Sequence, residues 1–267
     1  MSPGLWATQS SVRHDEFVAI DSTELSISFG VGEMRNPIAY SSPVPLFALP
    51  SFRYYGQRFY LENLDMGFSL AEQSKWQLDL IGRPSLEALY YMDQDGAALF
   101  ASILNGVRPS LFSAREVEDI ERRFSYLGGA RIDYFTEESR FGVQLLTDLT
   151  GVHNGQELRL EAEHYLDGAA GGLAITLGAR LLSTDYTSYY YALRQGDLPF
   201  TIPAEHLGAD AAINPYLRLD YHYPLNQDVA LIGHWYLEDL DDALTDGLLI
   251  DASVLSNWFV GLHWRVL

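Results

Sequence analysis

Apolar and polar residues alternate along most of this chain with a period of two. The stretch YLRLDYHY at 216–223 separates into two faces, of which one holds Leu217, Leu219, Tyr221 and Tyr223 and the other holds Arg218, Asp220 and His222. A period of two predicts a β-strand with one apolar and one polar face. A soluble sandwich would bury the apolar face in a core, whereas a membrane barrel would turn it to lipid and keep the charges in a wet interior.

About eleven runs of this kind occur along the chain, and most have about 8–11 residues. The clearest is QELRLEAEHYL at 156–166, and the segment 45–70 predicts two strands that turn near Tyr55 and Gly56. Strands that cross a bilayer need roughly 9–11 residues, whereas strands of globular proteins most often have about five or six. The run lengths therefore favour a membrane barrel over a soluble, lipocalin-like barrel.

The connections between these runs fall into two length classes. The short connections are 136–139, 167–171 and 224–228, and the long, polar ones are 84–123, 184–211 and 238–252. Short periplasmic turns and long external loops are typical of outer-membrane barrels, which have even strand numbers in bacteria. We therefore predict an all-β fold, a transmembrane antiparallel up-and-down β-barrel of twelve strands rather than ten. We expect residues 24–267 to form this single barrel and residues 84–123 to form a long, partly helical loop or plug within it. Residues 1–23 stay unassigned.

Composition narrows the functional classes. The formal net charge is −19, which repels nucleic acid. Lys75 is the only lysine, and the remaining cations are arginines, which pair with carboxylates in a planar fork. The first 17 residues lack the basic end and apolar core of a secretory signal. We therefore expect either an intracellular protein or, with an outer-membrane location, a mature chain that has lost its leader.

The polar faces predict an interior lined by opposed charges, and the apolar faces predict aromatic girdles at the two membrane interfaces. The predicted lumen-lining residues are Arg131, Asp133, Asp148, Glu157, Arg159, Glu161, Glu163, Arg180, Arg218, Asp220, His263 and Arg265. The predicted interfacial aromatics are Trp76, Trp235, Trp258, Trp264, Tyr221 and Tyr223.

Catalytic and metal-binding signals are weak, and we expect no enzyme activity, no cofactor and no metal site. The chain has neither a G-x-S-x-G nor an H-E-x-x-H motif. His164 is predicted on the outward face of its strand without a neighbouring serine. Asp93–Gly96 starts like a calcium loop but lacks the later ligands. The acidic stretch 238–242 is predicted to be a solvated loop, with the alternative that it shares divalent cations with lipopolysaccharide.

Four segments resemble the MipA/OmpV family of Gram-negative outer-membrane proteins: ALPSFRYYGQRFYLENLDMGFSL (48–70), LLTDLTGVHNG (145–155), TDYTSYYYALRQGD (184–197) and FVGLHWRVL (259–267). The resemblance implies an outer-membrane β-barrel. In the namesake it implies a scaffold that joins a murein-cleaving lytic transglycosylase to a penicillin-binding protein, and other members are described as adhesins or porin-like proteins. Two features depart from the family pattern, namely the ending Val266–Leu267 in place of a final aromatic and the long segment 84–123.

Two functions remain open at this point, besides adhesion. The resemblance implies a cell-envelope scaffold that docks murein-remodelling enzymes, whereas the charged interior predicts a pore for small solutes. In either case we expect contact with outer-membrane lipid and lipopolysaccharide.

Overall fold

The computed structural model describes residues 21–39, 41–91, 120–197, 201, 203 and 207–267. Twelve antiparallel strands close into one barrel, and each strand pairs with its neighbours in the chain while β1 pairs with β12. The strands are β1 (Ser22–Met34), β2 (Val44–Tyr55), β3 (Phe59–Glu62), β4 (Asp65–Gln73), β5 (Trp76–Ser85), β6 (Ser125–Phe135), β7 (Ser139–Asp148), β8 (Gln156–Gly168), β9 (Gly171–Leu182), β10 (Ala212–Pro224), β11 (Val229–Asp239) and β12 (Val254–Arg265). The predicted fold class and strand number are confirmed.

The strand that the alternation pattern missed is β3. The prediction of two strands over 45–70 is wrong, because the chain turns a second time at Asn63, which has a φ of 56°. With only four residues, β3 is too short for a period of two to be legible. This second turn also explains why eleven runs make twelve strands.

The two ends of the barrel differ in their connections. One end carries only tight turns, such as those between β6 and β7 and between β8 and β9, whereas the other carries the connections after β5, β9 and β11. By the rule that periplasmic turns are short, the long connections are external. Three short helices lie in them: a 3₁₀ helix (Glu87–Tyr91), α1 (Thr184–Tyr190) and α2 (Asp242–Thr245). Among the described residues, no helix is long and apolar enough to span a membrane.

Apolar side chains cover the outside of the barrel. Phe47, Leu145 and Leu177 are 64%, 58% and 61% exposed, and large apolar residues on every long strand share this orientation. Soluble monomers rarely expose a continuous apolar surface of this size. The outward face therefore contacts lipid, and the wall spans a membrane.

A glycine in one strand leaves room for an aromatic ring of the neighbouring strand to lie over its backbone. Tyr216 lies opposite Gly178 in the ladder, and a Cβ on Gly178 would come within 2.3 Å of the Tyr216 ring. Tyr60 covers Gly67 in the same way, at 1.9 Å. Such aromatic–glycine pairs fix the register of the strands that carry them.

Candidate functional site

The barrel interior carries a chain of alternating charges that follows the wall across β5, β6 and β7. Arg131 contacts the Asp79 carboxylate at 2.9 Å and the Asp133 carboxylate at 2.7 Å. Arg140 then binds Asp133 at 2.8 Å and Glu161 at 2.9 Å. Each charge thus has an opposite partner on an adjacent strand. These pairs can form because the period of two places the polar side chains of neighbouring strands on the same inward face.

The same chain continues across β8, β9, β10 and β11. Arg218 contacts Glu163 at 2.8 Å and Asp220 at 2.9 Å. The Asp220 carboxylate also contacts the His234 ring. The result is one continuous polar network along half of the interior wall or more.

A denser cluster lies at the external end of the interior, around Arg180. Its guanidinium contacts Glu87 at 2.7 Å, Glu157 at 3.1 Å and Glu238 at 3.1 Å. Arg159 and Arg83 also bind Glu157, at 2.8 and 2.9 Å. Arg180 is fully buried and so are its glutamates, so this cluster is closed to solvent.

Two members of this cluster lie outside the sequence prediction. The expectation that Glu238 belongs to a solvated acidic loop is wrong, because Glu238 is the inward-facing penultimate residue of β11 and is fully buried. Glu87 lies in the connection after β5, which shows no alternation, and no sequence signal places it inside the barrel. The 3₁₀ helix carries it there.

An external cap covers the Arg180 cluster, and two of the family-like segments build it. In 145–155, the Asp148 carboxylate accepts the backbone N–H groups of Thr150, His153 and Asn154 at 2.7–3.0 Å. This fold of the loop directs His153 against Tyr186 and Tyr190 of α1, with ring centroids 4.8 and 5.4 Å apart. Asp148 therefore organises the cap as well as facing inward from the last position of β7.

The cap contains a Ser–His contact whose geometry excludes a general base. Ser125 Oγ lies 3.0 Å from His153 Nε2, while the backbone N–H of Gly155 donates to His153 Nδ1 at 2.9 Å. An acceptor Nδ1 leaves the ring proton on Nε2, so His153 donates to Ser125 and has no lone pair for the serine proton. Burial lowers the pKa of His153, which favours this neutral form.

A second Ser–His contact corrects the expectation for His164. Ser139 Oγ lies 2.9 Å from His164 Nδ1 on the outward face, because Ser139 and His164 are directly paired between β7 and β8. The sequence analysis did not pair this serine with His164, because it counted Ser139 in the short connection 136–139, whereas Ser139 is the first residue of β7. Among the described residues, no group of three or more acidic, histidine or cysteine side chains is arranged to hold a metal ion. The Asp93–Gly96 stretch lies outside the described residues.

The opposite wall of the interior, formed by β11, β12, β1 and β2, has a different lining. Leu49, Ala230, Ile232 and Phe259 form a buried apolar cluster there. Serines share the same wall, and Ser28 contacts His263 at 3.1 Å. Of the predicted lining residues, His263 and Arg265 lie on this wall, whereas the sequence analysis did not single out its serines, its glycines or Phe259.

The inward side chains differ in their exposure. Arg180 at the external end is fully buried, the side chains of Arg131 and Arg218 near mid-strand are 21% and 20% exposed, and Arg265 at the periplasmic end of β12 is exposed. Of the remaining predicted lining residues, Asp133, Glu157, Arg159, Glu161, Glu163 and Asp220 are buried, and Asp148 and His263 are half-buried. Among the described residues, solvent therefore reaches Arg131, Arg218 and Arg265 but not the Arg180 cluster.

The aromatics predicted for the interfaces all lie on the outward face. Trp235 and Trp258 are paired across β11 and β12, whereas Trp76 and Trp264 stand near the periplasmic ends of their strands. Tyr221 and Tyr223 occupy the periplasmic end of β10, where the Tyr221 hydroxyl donates to the carbonyl of Ala170.

The chain is similar to one protein family, to a relative in Escherichia coli and, more distantly, to solved structures. A family model described as "MltA-interacting protein MipA" matches residues 29–266. "Putative outer membrane protein YiaT" of Escherichia coli strain K12 is 23% identical over 247 residues, which cover 91% of both chains. Among solved structures, a porin covers 91% of this chain and 100% of its own at 8% identity with a TM-score of 0.37. An anion-selective porin from Comamonas acidovorans covers 91% of this chain and 99% of its own at 10% identity, with a TM-score of 0.35.

The family match extends over nearly the whole barrel, including the loop and helix that form the external cap. This outer-membrane β-barrel belongs to the MipA family.

Proposed function

We propose that the protein is a cell-envelope scaffold that docks murein-remodelling enzymes, a lytic transglycosylase and a penicillin-binding protein, and that it has no catalytic centre of its own. The observation that carries this proposal is the buried cluster of Arg180 with Glu87, Glu157 and Glu238. It occupies the external end of the interior, where a wide channel would need water. A barrel blocked there acts through its surfaces, and the family description names a murein enzyme as a partner.

The periplasmic turns supply a preorganised docking surface. Thr136 N–H donates to the Ser139 carbonyl at 2.8 Å, and Leu225 N–H donates to the Val229 carbonyl at 2.9 Å. Short hydrogen-bonded turns lose little conformational entropy on binding, so they favour a protein partner. On the outward face, the same proposal places outer-membrane lipid and lipopolysaccharide against the apolar wall.

The test is capture of a purified lytic transglycosylase by the folded barrel in detergent. A double variant, Glu137→Arg with Glu138→Arg, changes the charge of a periplasmic turn, and we expect it to reduce capture. The matched control, Asp242→Arg with Asp246→Arg, makes the same change on the external side and should leave capture unchanged. Failure of the unmodified barrel to capture the enzyme would end the scaffold proposal.

A solute pore is the second candidate, and the partial exposure of the Arg131 and Arg218 side chains favours it. These side chains face inward and keep about a fifth of their surface exposed. Planar-bilayer recording separates the two functions. Steady unitary conductance that changes ion selectivity in Glu161→Gln would support the pore, whereas a silent barrel that still captures the enzyme would support the scaffold.

A further inference from the structure

The barrel wall is incomplete on one side, because β3 is shorter than the strands beside it. In β2, only Arg53–Tyr55 pair with β3, although β2 extends back to Val44. On the other side of the gap, Arg83–Ser85 of β5 pair with β6 but have no partner in β4. Among the described residues, the segment 44–51 therefore forms an edge of the sheet that pairs only with β1.

The sequence at this edge is adapted to the lack of a neighbouring strand. The Phe52 N–H donates to Asn63 Oδ1 at 2.9 Å and the Phe52 carbonyl accepts from the Asn63 N–H at 2.7 Å, so an asparagine ends the ladder. Pro50 lies two residues before Phe52 in β2, so an N–H at this position would point to the unpaired side of the strand, as the Phe52 N–H does. Proline has no N–H, and in sheets it is confined to such edges. The edge is thus a built feature of the wall.

The opening left above β3 faces the membrane. It takes the place of the external parts of both β3 and β4, so β2 and β5 flank it three inter-strand spacings apart, about 14 Å in an evenly spaced wall. Apolar side chains surround it on the outside, among them the exposed Phe47, Phe52, Leu64 and Met66. Because an unpaired edge in hydrocarbon is costly, the opening requires an occupant or a cover.

On the inside, the opening adjoins the apolar wall of the interior. Leu46 packs against both buried clusters of this region, one with Leu49 and Phe259 and the other with Met34 and Val44. The second cluster includes Leu86 and Leu89 of the connection after β5, which form a roof on the external side. Apolar side chains in mutual contact therefore extend from the half-buried Leu46 at the gap to Leu49 in the interior.

Two buried hydroxyl groups lie next to these side chains. Ser26 and Ser51 are directly paired between β1 and β2, both face inward, and both are at least nine-tenths buried. Neither hydroxyl oxygen has a hydrogen-bond partner in the structure. Buried polar groups normally have partners, so these hydroxyls point to a polar ligand atom or water near them.

We propose that the gap between β2 and β5 is a lateral binding site that admits an acyl chain of a membrane lipid into the barrel wall. The chain lies against Leu46 and Leu49, and an ester or hydroxyl oxygen near it bonds Ser26 or Ser51. Near mid-strand the opposite wall presents charged side chains such as Arg131 and Arg140, so the chain stays on the β1–β2 side. This site is independent of enzyme docking at the periplasmic turns.

The experiment uses a photo-cross-linking residue, p-benzoylphenylalanine, at single positions of the folded barrel in native outer-membrane vesicles. Leu49 tests the apolar wall, Gln144 is the matched inward position on the charged wall, and Val143 is the lipid-facing reference. Mass spectrometry of the intact protein then measures lipid adducts after illumination. We expect adducts at 49 approaching those at 143, and a loss of adducts at 144.

The outcomes are decisive in either direction. Adducts confined to position 143 would overturn the site, and equal adducts at 49 and 144 would indicate a non-selective interior and overturn it as well. Adducts at 49 with added detergent but never with membrane lipid would likewise contradict a membrane-lipid occupant. Heat-modifiable gel migration verifies folding, and the half-buried Leu46 provides a second probe position if the variant at 49 does not fold.

Discussion

The two walls of the barrel interior achieve burial by opposite means. From β5 to β10 many inward side chains are charged, and every inward arginine has a carboxylate partner, as Arg140 has in Asp133 and Glu161. From β11 through β12 and β1 to β2, apolar side chains such as Ile232 and Phe259 fill the interior beside serines and glycines. The first wall depends on mutual neutralisation of charges, and the second depends on close packing.

The difference indicates which wall can move. A buried ion pair is costly to break, because a lone charge remains without solvent. Apolar packing loses less when a lipid chain replaces a side chain, because dispersion contacts are exchanged for similar ones. The charged wall is therefore expected to stay rigid. The apolar wall lies beside the short strand β3 and is expected to accommodate the proposed lipid chain.

The largest expected effect concerns the charged wall. Arg180→Leu leaves Glu87, Glu157 and Glu238 buried with one fewer cation, and removal of one partner of a buried pair costs about 4 kcal/mol. We expect a loss of stability of this size in urea unfolding of the refolded barrel, followed by tryptophan fluorescence.

Arg265→Leu is the control for this change, because Arg265 is exposed at the end of β12. Its unfolding midpoint should match that of the unmodified protein. Equal midpoints for the two variants would show that the Arg180 cluster does not hold the wall.

A smaller loss is expected on the apolar wall. The fully buried Phe259 ring lies over the glycines of β1, so that a Cβ on Gly30 would meet it at 2.9 Å. Phe259→Ala creates a cavity and should lower the free energy of unfolding by about 3 kcal/mol. Phe141→Ala removes an equal ring from the lipid-facing surface, where lipid refills the space, and should cost clearly less in the same assay. A reversed order would contradict close packing of this wall.

The cap that seals the charged wall should loosen in acid. Burial lowers the pKa of His153 from the ordinary 6.5, so the unfolded loop binds more protons than the folded one as the pH falls below 6.5. The contribution of His153 is complete above this pH and is lost below it, where protonation of Nδ1 also breaks the bond from Gly155. Hydrogen exchange at Thr187 in α1 and at Tyr191 directly after it, corrected for intrinsic rates, should therefore accelerate on acidification.

Two histidine variants test the origin of this acid response. His153→Gln should abolish the pH dependence, and His164→Gln, at the exposed outer surface, should preserve it. Persistence of the acid response in His153→Gln would assign it to another group of the cap.

The sequence predicted the wall of this barrel far better than its contents. Alternation over runs such as 156–166 identifies each inward and outward residue, because the side-chain period of a strand is fixed by its geometry. It fails at β3, which is too short to show a period, and hence could not reveal the lateral gap. The strand number was recovered only because barrels of this kind close with an even count.

The interior partners were harder to predict for a different physical reason. Alternation identifies that Arg180 faces inward but not that Glu87 returns from an external connection to meet it, since this contact spans 93 positions in the chain. Likewise, the acidic residues after Glu238 predict a loop there, whereas β11 extends to Asp239 and includes Glu238. Tertiary contacts between a loop and a strand leave no periodic trace.

The smallest expected effect tests whether a lipid is bound at the apolar wall. Ser26→Ala with Ser51→Ala removes two buried hydroxyls that have no protein partner, so the free energy of unfolding in lipid-free detergent should change by no more than about 0.5 kcal/mol. In lipid vesicles the same double variant should lose stability relative to the unmodified barrel if a lipid oxygen bonds these hydroxyls. Thr176→Ala on the charged wall, where the hydroxyl donates to Glu163 at 3.0 Å, should be destabilising in both media. A double serine variant that behaves identically in detergent and lipid would mean that no lipid oxygen bonds the apolar wall.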